Sequence, residues 1–153
     1  MHNKQMYTMI FPATDTALEF LKSMDLSCYK YEAEENPKRK HHWNNNYAGF
    51  KDQDGVTVGK CPANITGTQA EALLHNGIAW SPPTWEKPYP NRIYVVYQGV
   101  VYRATPTNPG VSYHGFPETG KDLRRLPKGL QDEIMQSARS NGWEKEVKKW
   151  FDR

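Results

Sequence analysis

Residues 92–105 read RIYVVYQGVVYRAT, two runs of valine, isoleucine and tyrosine on either side of Gln98-Gly99. β-Branched and aromatic side chains suit a pleated strand, and a two-residue connection containing glycine is a common way to fold one strand back on the next. The stretch therefore predicts a β-hairpin with Gln98 and Gly99 at its turn. Its register sets Tyr97 opposite Val100, Val96 opposite Val101, Val95 opposite Tyr102, Tyr94 opposite Arg103 and Ile93 opposite Ala104. Opposed residues share a face, and neighbours along a strand alternate between faces. One face then holds Ile93, Val95, Tyr97, Val100, Tyr102 and Ala104, the expected core side. The other holds Arg92, Tyr94, Val96, Val101, Arg103 and Thr105, with its guanidinium, phenol and hydroxyl groups gathered at the end away from the turn. A slip of one residue would exchange the faces.

The rest of the chain is read around this ribbon. At 153 residues it is long enough for one real core, and a single domain is expected over 1–153, with 1–59 a loosely defined N-terminal subregion. Short strands are expected at 5–11, 27–33 and 56–60, and KDQDG at 51–55 reads as a turn. A first helix is expected at 16–25, opened by the capping box Thr16-Ala17-Leu18-Glu19. A second opens on the box Thr68-Gln69-Ala70-Glu71, stops at Asn76-Gly77 and carries Ala70, Leu73 and Leu74 as its apolar stripe. Residues 81–90, with Pro82, Pro83, Pro88 and Pro90, predict an extended connection, and 111–114 a short strand. Leu123, Leu126, Leu130, Ile134 and Ala138 recur at helical spacing and predict a helix over 127–140; Trp143, Val147, Trp150 and Phe151 give a last helical face. Strands and helices without regular βαβ alternation indicate an α+β fold: a small antiparallel sheet built on the central hairpin and packed by short helices.

Composition sets the outer limits. The formal net charge of +3 permits an anionic partner without demanding one. Mean hydropathy is −0.85, yet aromatic residues make up 12%, which argues against disorder. There is no apolar run long enough to span a membrane and no signal-peptide core. The expected location is the cytoplasm, of the producing cell or of a target cell, or export by a route without a cleaved signal. Cys28 and Cys61 do not make a disulfide framework, and their spacing to His41 and His42 matches no zinc template. No metal or cofactor is expected.

His114 is the most suggestive single residue. It follows the hairpin in Ser112-Tyr113-His114-Gly115, where an imidazole that titrates near neutrality can reach a cleft; the plainer reading is a turn histidine bonded to backbone. Arg103 and Arg92 share the polar face with Tyr94 and Thr105, and planar guanidinium forks suit phosphate, although such pairs also sit on solvated sheets. His41 and His42 follow Lys38-Arg39-Lys40 and precede Trp43, a basic and aromatic stretch fit for nucleic acid or for a solvated loop. Glu118, Lys121, Arg124 and Arg125 either line the same groove or charge the next helix. His75 is explained by the end of its helix. No phosphate-binding glycine loop, G-x-S-x-G, H-E-x-x-H or calcium loop occurs.

KCPANITGTQAEALLHNGI, then YPNRIYVVYQGVVYRATPTNPGVSYHGFPE and a helix after RRLPK, across residues 60–127, resembles the C-terminal toxin domains of bacterial polymorphic and contact-dependent toxin systems. Residues 1–59 show no such likeness, and no diagnostic catalytic motif falls within the match. The resemblance implies a small α+β ribonuclease that needs no metal: a base takes the 2′-hydroxyl proton, a cation steadies the developing charge, and an acid protonates the leaving oxygen. On the predicted hairpin the catalytic candidates are His114, Arg103 and Tyr113. The substrate-binding candidates are Arg92, Tyr94, Thr105, His41 and His42. The implied partners are RNA and a cognate immunity protein. Three alternatives stay open: an ADP-ribosyltransferase toxin, suggested by Tyr102-Arg103 although no Ser-Thr-Ser element or Glu-x-Glu pair follows at suitable distance; a non-enzymatic immunity, adaptor or phage module that binds protein through its tryptophans and tyrosines; and a carbohydrate- or peptide-binding module using Trp85 and Tyr89.

Overall fold

The hairpin of residues 92–105 is the middle of a five-stranded sheet. The structure, a computed structural model, describes residues 24–33 and 41–153. Within them the elements run β1 (Lys30–Tyr31), β2 (Gly49–Gln53), β3 (Val56–Lys60), α1 (Gly67–His75), β4 (Ile78–Trp80), β5 (Arg92–Tyr97), β6 (Val100–Asn108), β7 (Ser112–Pro117), α2 (Gly120–Leu123), α3 (Lys128–Ser140) and α4 (Glu144–Phe151). The strand expected at 5–11, nearly all of the helix expected at 16–25 and the cationic run Lys38-Arg39-Lys40 lie outside the described residues.

β5 and β6 pair in the register read from the sequence, from Ile93 with Ala104 to Tyr97 with Val100. Gln98 (φ 50°) and Gly99 (φ 79°) are both left-handed, the condition for a turn whose twist matches the strands. Gly99 is required twice over, because a Cβ there would stand 2.6 Å from Cβ of Glu146. The strand order is β1-β7-β6-β5-β4. All neighbours are antiparallel except β1, which runs parallel to β7 and makes the sheet mixed where a purely antiparallel one was expected. β2 and β3 form a separate hairpin about Asp54-Gly55; the turn is tighter than expected because Lys51, Asp52 and Gln53 belong to β2. β4 was not foreseen, since three residues after a helix stop give too short a pattern to read.

The expectation of one greasy and one polar face is corrected: both faces of the ribbon are buried. The face of Tyr94, Val96 and Val101 packs under Leu123, Leu126, Leu130, Ile134, Ala138, Val147, Trp150 and Phe151. The face of Ile93 and Ala104, joined by Tyr113, packs against Leu26, Tyr29, Leu74 and Ala79. The polar groups occupy only one end of the first face. The two-valine centre of that face leaves apolar surface that the amphipathic α3 and α4 cover, and burying it is the larger free-energy gain.

The helices follow their sequence signals with one shift of register. α1 is capped by Thr66: its hydroxyl accepts the Gln69 N–H at 3.1 Å while the Gln69 side chain accepts the Thr66 N–H at 3.4 Å. The box is therefore Thr66-Gly67-Thr68-Gln69, two residues before the one expected, and both stretches satisfy the same four-residue rule. Glu71 instead accepts the Tyr31 N–H at 2.8 Å, which ties β1 to α1. α3 begins after Pro127, and α4 is locked down by Trp150, whose indole donates to the Glu118 carbonyl at 2.8 Å.

Candidate functional site

Pairing of β6 with β7 sets Thr105 opposite His114 and Arg103 opposite Phe116, all on one face. β3 packs across the end of β7 that β1 leaves uncovered. A Cβ on Gly59 would meet the Pro117 carbonyl at 2.5 Å, so only glycine lets the two backbones come this close. The Gly59 carbonyl in turn accepts a hydrogen bond from Nδ1 of His41 at 2.8 Å. That bond lays the His41 ring on Phe116, with centroids 4.5 Å apart, and beside His114, with centroids 5.9 Å apart and planes inclined by 20°. Two imidazoles separated by more than seventy positions in the chain are thus stacked side by side.

The hydrogen-bond network assigns their tautomers. A carbonyl only accepts, so Nδ1 of His41 carries a proton and, in the neutral ring, Nε2 carries the lone pair. Thr107 donates its hydroxyl proton to the Glu32 carbonyl at 2.7 Å, so it must accept from Nδ1 of His114, also at 2.7 Å. His114 therefore has the same tautomer, with Nε2 turned towards the Thr105 hydroxyl 3.5 Å away. His114 is buried at 7% exposure, while His41 is half-buried.

Both histidines, with the exposed His42, line a cavity of about 380 Å³ that extends from between α1 and the sheet to the margin of β7 at His114 and Gly115, where the imidazoles of the opposite face meet it. Its deep wall is apolar: Ile65, Ala70, Leu73, Leu74, Val95 and Ala104. Its polar wall is made by Tyr31, Cys61 and Thr66, and Gly67 brings the first turn of α1 to it. That turn contains no acidic residue, so the positive end of the helix faces the cavity uncompensated by side-chain charge. The Cys61 thiol donates to the Gly115 carbonyl at 3.3 Å, and burial pushes its pKa up to about 12. Cys61 is therefore a thiol and not a nucleophile at neutral pH. Cys28 and Cys61 are both free, and among the described residues no group of histidine, cysteine and carboxylate side chains is arranged to hold a metal.

The remaining candidates separate into two groups. Arg103 and Arg92 do lie on the His114 side of the sheet, but each is engaged within the fold. Arg103 pairs with Glu118 at 3.2 Å and lies over Phe116 at 5.3 Å, so a single ring joins it to His41. Arg92 donates to the Tyr94 hydroxyl at 2.9 Å and lies over Trp80 at 5.5 Å. Tyr94 is fully buried, and burial raises its pKa, so it braces Arg92 instead of meeting a substrate. Burial likewise raises the pKa of Glu118, against the lowering effect of Arg103.

Tyr113 requires a correction. Its parity puts it on the other face from His114; it is fully buried, and its hydroxyl donates to the Pro90 carbonyl at 2.6 Å. It belongs to the core. The roles that sequence reasoning missed are those of Gly59, Phe116 and Thr107, which position the imidazoles. The one available signal was the alternation along β7, which puts Phe116 with His114. Comparison with protein-family models, with curated proteins and with solved structures finds no match to this chain, so the likeness to toxin domains rests on the residues of 60–127 themselves.

Proposed function

We propose that the protein is a ribonuclease of the toxin or effector kind, cleaving RNA phosphodiesters by acid–base chemistry at His114 and His41. The observation that carries this reading is the stacked imidazole pair at the edge of a cavity sized for a small ligand. Strand cleavage next to a 2′-hydroxyl needs two proton transfers, and two histidines in one place supply both. His114, the more buried ring, takes the 2′-hydroxyl proton on Nε2. The 2′-oxygen attacks phosphorus, the bond to the 5′-oxygen breaks, and that oxygen takes a proton from Nε2 of protonated His41. The products are a 2′,3′-cyclic phosphate and a free 5′-hydroxyl. Thr107, bonded to Nδ1, orients the base, Thr105 stands beside the Nε2 that meets the 2′-hydroxyl, and the first turn of α1 favours the phosphate charge. Arg103 acts at one remove, through Phe116, as a positioning residue. An RNA substrate and a cognate immunity protein are the partners this reading carries.

The test is incubation of the purified protein with total RNA, with and without chelator. Cleavage to 2′,3′-cyclic phosphate ends, unchanged by chelator and bell-shaped in pH, is the expected result. His114→Ala and His41→Ala should each lower the rate by about 10²–10⁴, and each should relieve growth inhibition in a bacterial host. No cleavage by the wild-type chain, or cleavage at the wild-type rate by either variant, would overturn the proposal.

A further inference from the structure

The cavity beside the imidazoles is larger than proton transfer requires, and its chemistry differs from theirs. At about 380 Å³ it falls within the roughly 300–1,000 Å³ of small-molecule sites. Ala70, Leu73 and Leu74 of α1 face Val95, Tyr102 and Ala104 of the sheet across it. A phosphate or a bare sugar gains nothing from such a wall, but a flat aromatic ring buries both faces in it. A ligand with its ring in this slot and an anionic group at the histidines and at the first turn of α1 matches both halves of the site. A nucleotide has that division of chemistry.

The polar wall narrows the assignment further. The Tyr31 hydroxyl lies 3.2 Å from the Gly115 N–H and 3.5 Å from the Gly115 carbonyl. The Cys61 thiol donates to that carbonyl, and the Thr66 hydroxyl accepts the Gln69 N–H. These side chains are engaged inside the fold, and burial raises the pKa of Tyr31 to about 12, so it stays neutral. Discrimination between bases needs donors and acceptors aimed at the base edges, and on this wall Tyr31 and Cys61 are already committed to Gly115, which leaves only the Thr66 and Tyr102 hydroxyls, groups that turn to suit either a donor or an acceptor. We infer that the cavity between α1 and the sheet is a nucleobase subsite that grips the ring by its faces and its size and is largely blind to base identity. This rests on the nuclease reading for the placement of the phosphate, and adds to it the substrate class and its sequence tolerance.

The experiment is calorimetric titration of the full chain with the four nucleoside 3′-monophosphates, ribose 5-phosphate and inorganic phosphate. All four nucleotides should bind at least about tenfold more tightly than ribose 5-phosphate, and within about tenfold of one another, as face stacking without edge readout gives. Ala70→Phe fills the slot from the helix side. It should erase the advantage of the nucleotides, leave the sugar phosphate unchanged, and raise KM for RNA with kcat retained. Leu73→Phe reaches the same space from a second position, and imidazole NMR signals that match the wild-type chain establish that either variant is folded. Nucleotides binding no better than ribose 5-phosphate, nucleotide binding that survives both fillings, or one base preferred by more than about a hundredfold would overturn the inference. The two proposals fail separately: tighter binding of all four nucleotides than of ribose 5-phosphate without RNA cleavage removes the nuclease and keeps the subsite, while cleavage without that advantage does the reverse.

Discussion

Removing the guanidinium of Arg103 would leave Glu118, whose side chain is 5% exposed, without the positive charge 3.2 Å from it. Burial holds the pKa of Glu118 above its usual 4.5, and Arg103 is the main lowering influence. Arg103→Ala should therefore raise it further. A carboxyl with a raised folded pKa binds more protons in the native state. Its contribution to stability is full below the unfolded value and is lost as pH rises through the folded one. Arg103→Ala is expected to cost about 3 kcal/mol at pH 7, and less at pH 5, because a carboxyl with a raised pKa takes up its proton earlier as the pH falls. Urea denaturation at the two pH values checks this, and equal losses would count against it. At this scale the sequence was legible in part. Alternation along a strand places His114 with Thr105 and sends Tyr113 to the other side, so the misassignment of Tyr113 came from grouping neighbours in sequence across a two-residue period. The partner of Arg103 was not legible, because Glu118 lies beyond the end of β7, where no periodicity reports direction.

Among the elements, the β2–β3 hairpin sets the imidazole pair without belonging to the main sheet. Gly59→Ala would set a methyl against the Pro117 carbonyl and push β3 from the margin of β7, moving the carbonyl that holds His41. On the ribonuclease reading, the expected outcome is a fall in RNA cleavage of about tenfold or more, as misplacement of a catalytic group would give. The α3–α4 face lies elsewhere, so the melting transition should remain cooperative. Thr66→Ala removes the α1 cap and should cost about 1 kcal/mol in chemical denaturation. Both hairpin turns, α1, α3 and α4 were readable from local chemistry: left-handed turn pairs, capping residues and three-to-four spacing of leucines. β1 lies inside the strand expected at 27–33, and β2 takes up residues read as a turn; the three-residue β4 left no such signal, since it forms only because β5 offers it a ladder. Pairing of that kind is a tertiary event with no local trace.

Taken whole, the molecule has two cores on one sheet, and the C-terminal helices seal the larger one. Trp150→Ala would remove a buried indole and its bond to the Glu118 carbonyl, at an expected cost of about 3–5 kcal/mol read from urea unfolding; a loss below about 1 kcal/mol would mean that α4 seals nothing. Sequence reasoning gave the α+β class and the central ribbon but assigned it one wet face, because a guanidinium at the rim says nothing of the valines at the centre. The bond from Thr107 to the Glu32 carbonyl carries a consequence of its own. That oxygen is what obliges Thr107 to receive, not offer, a proton from the His114 ring. A chain clipped so that Glu32 is lost frees the hydroxyl to turn round, and the imidazole can then bear its hydrogen on either nitrogen. On the ribonuclease reading, the segment that ends at Glu32 thus acts as a safety catch on the proton of that ring.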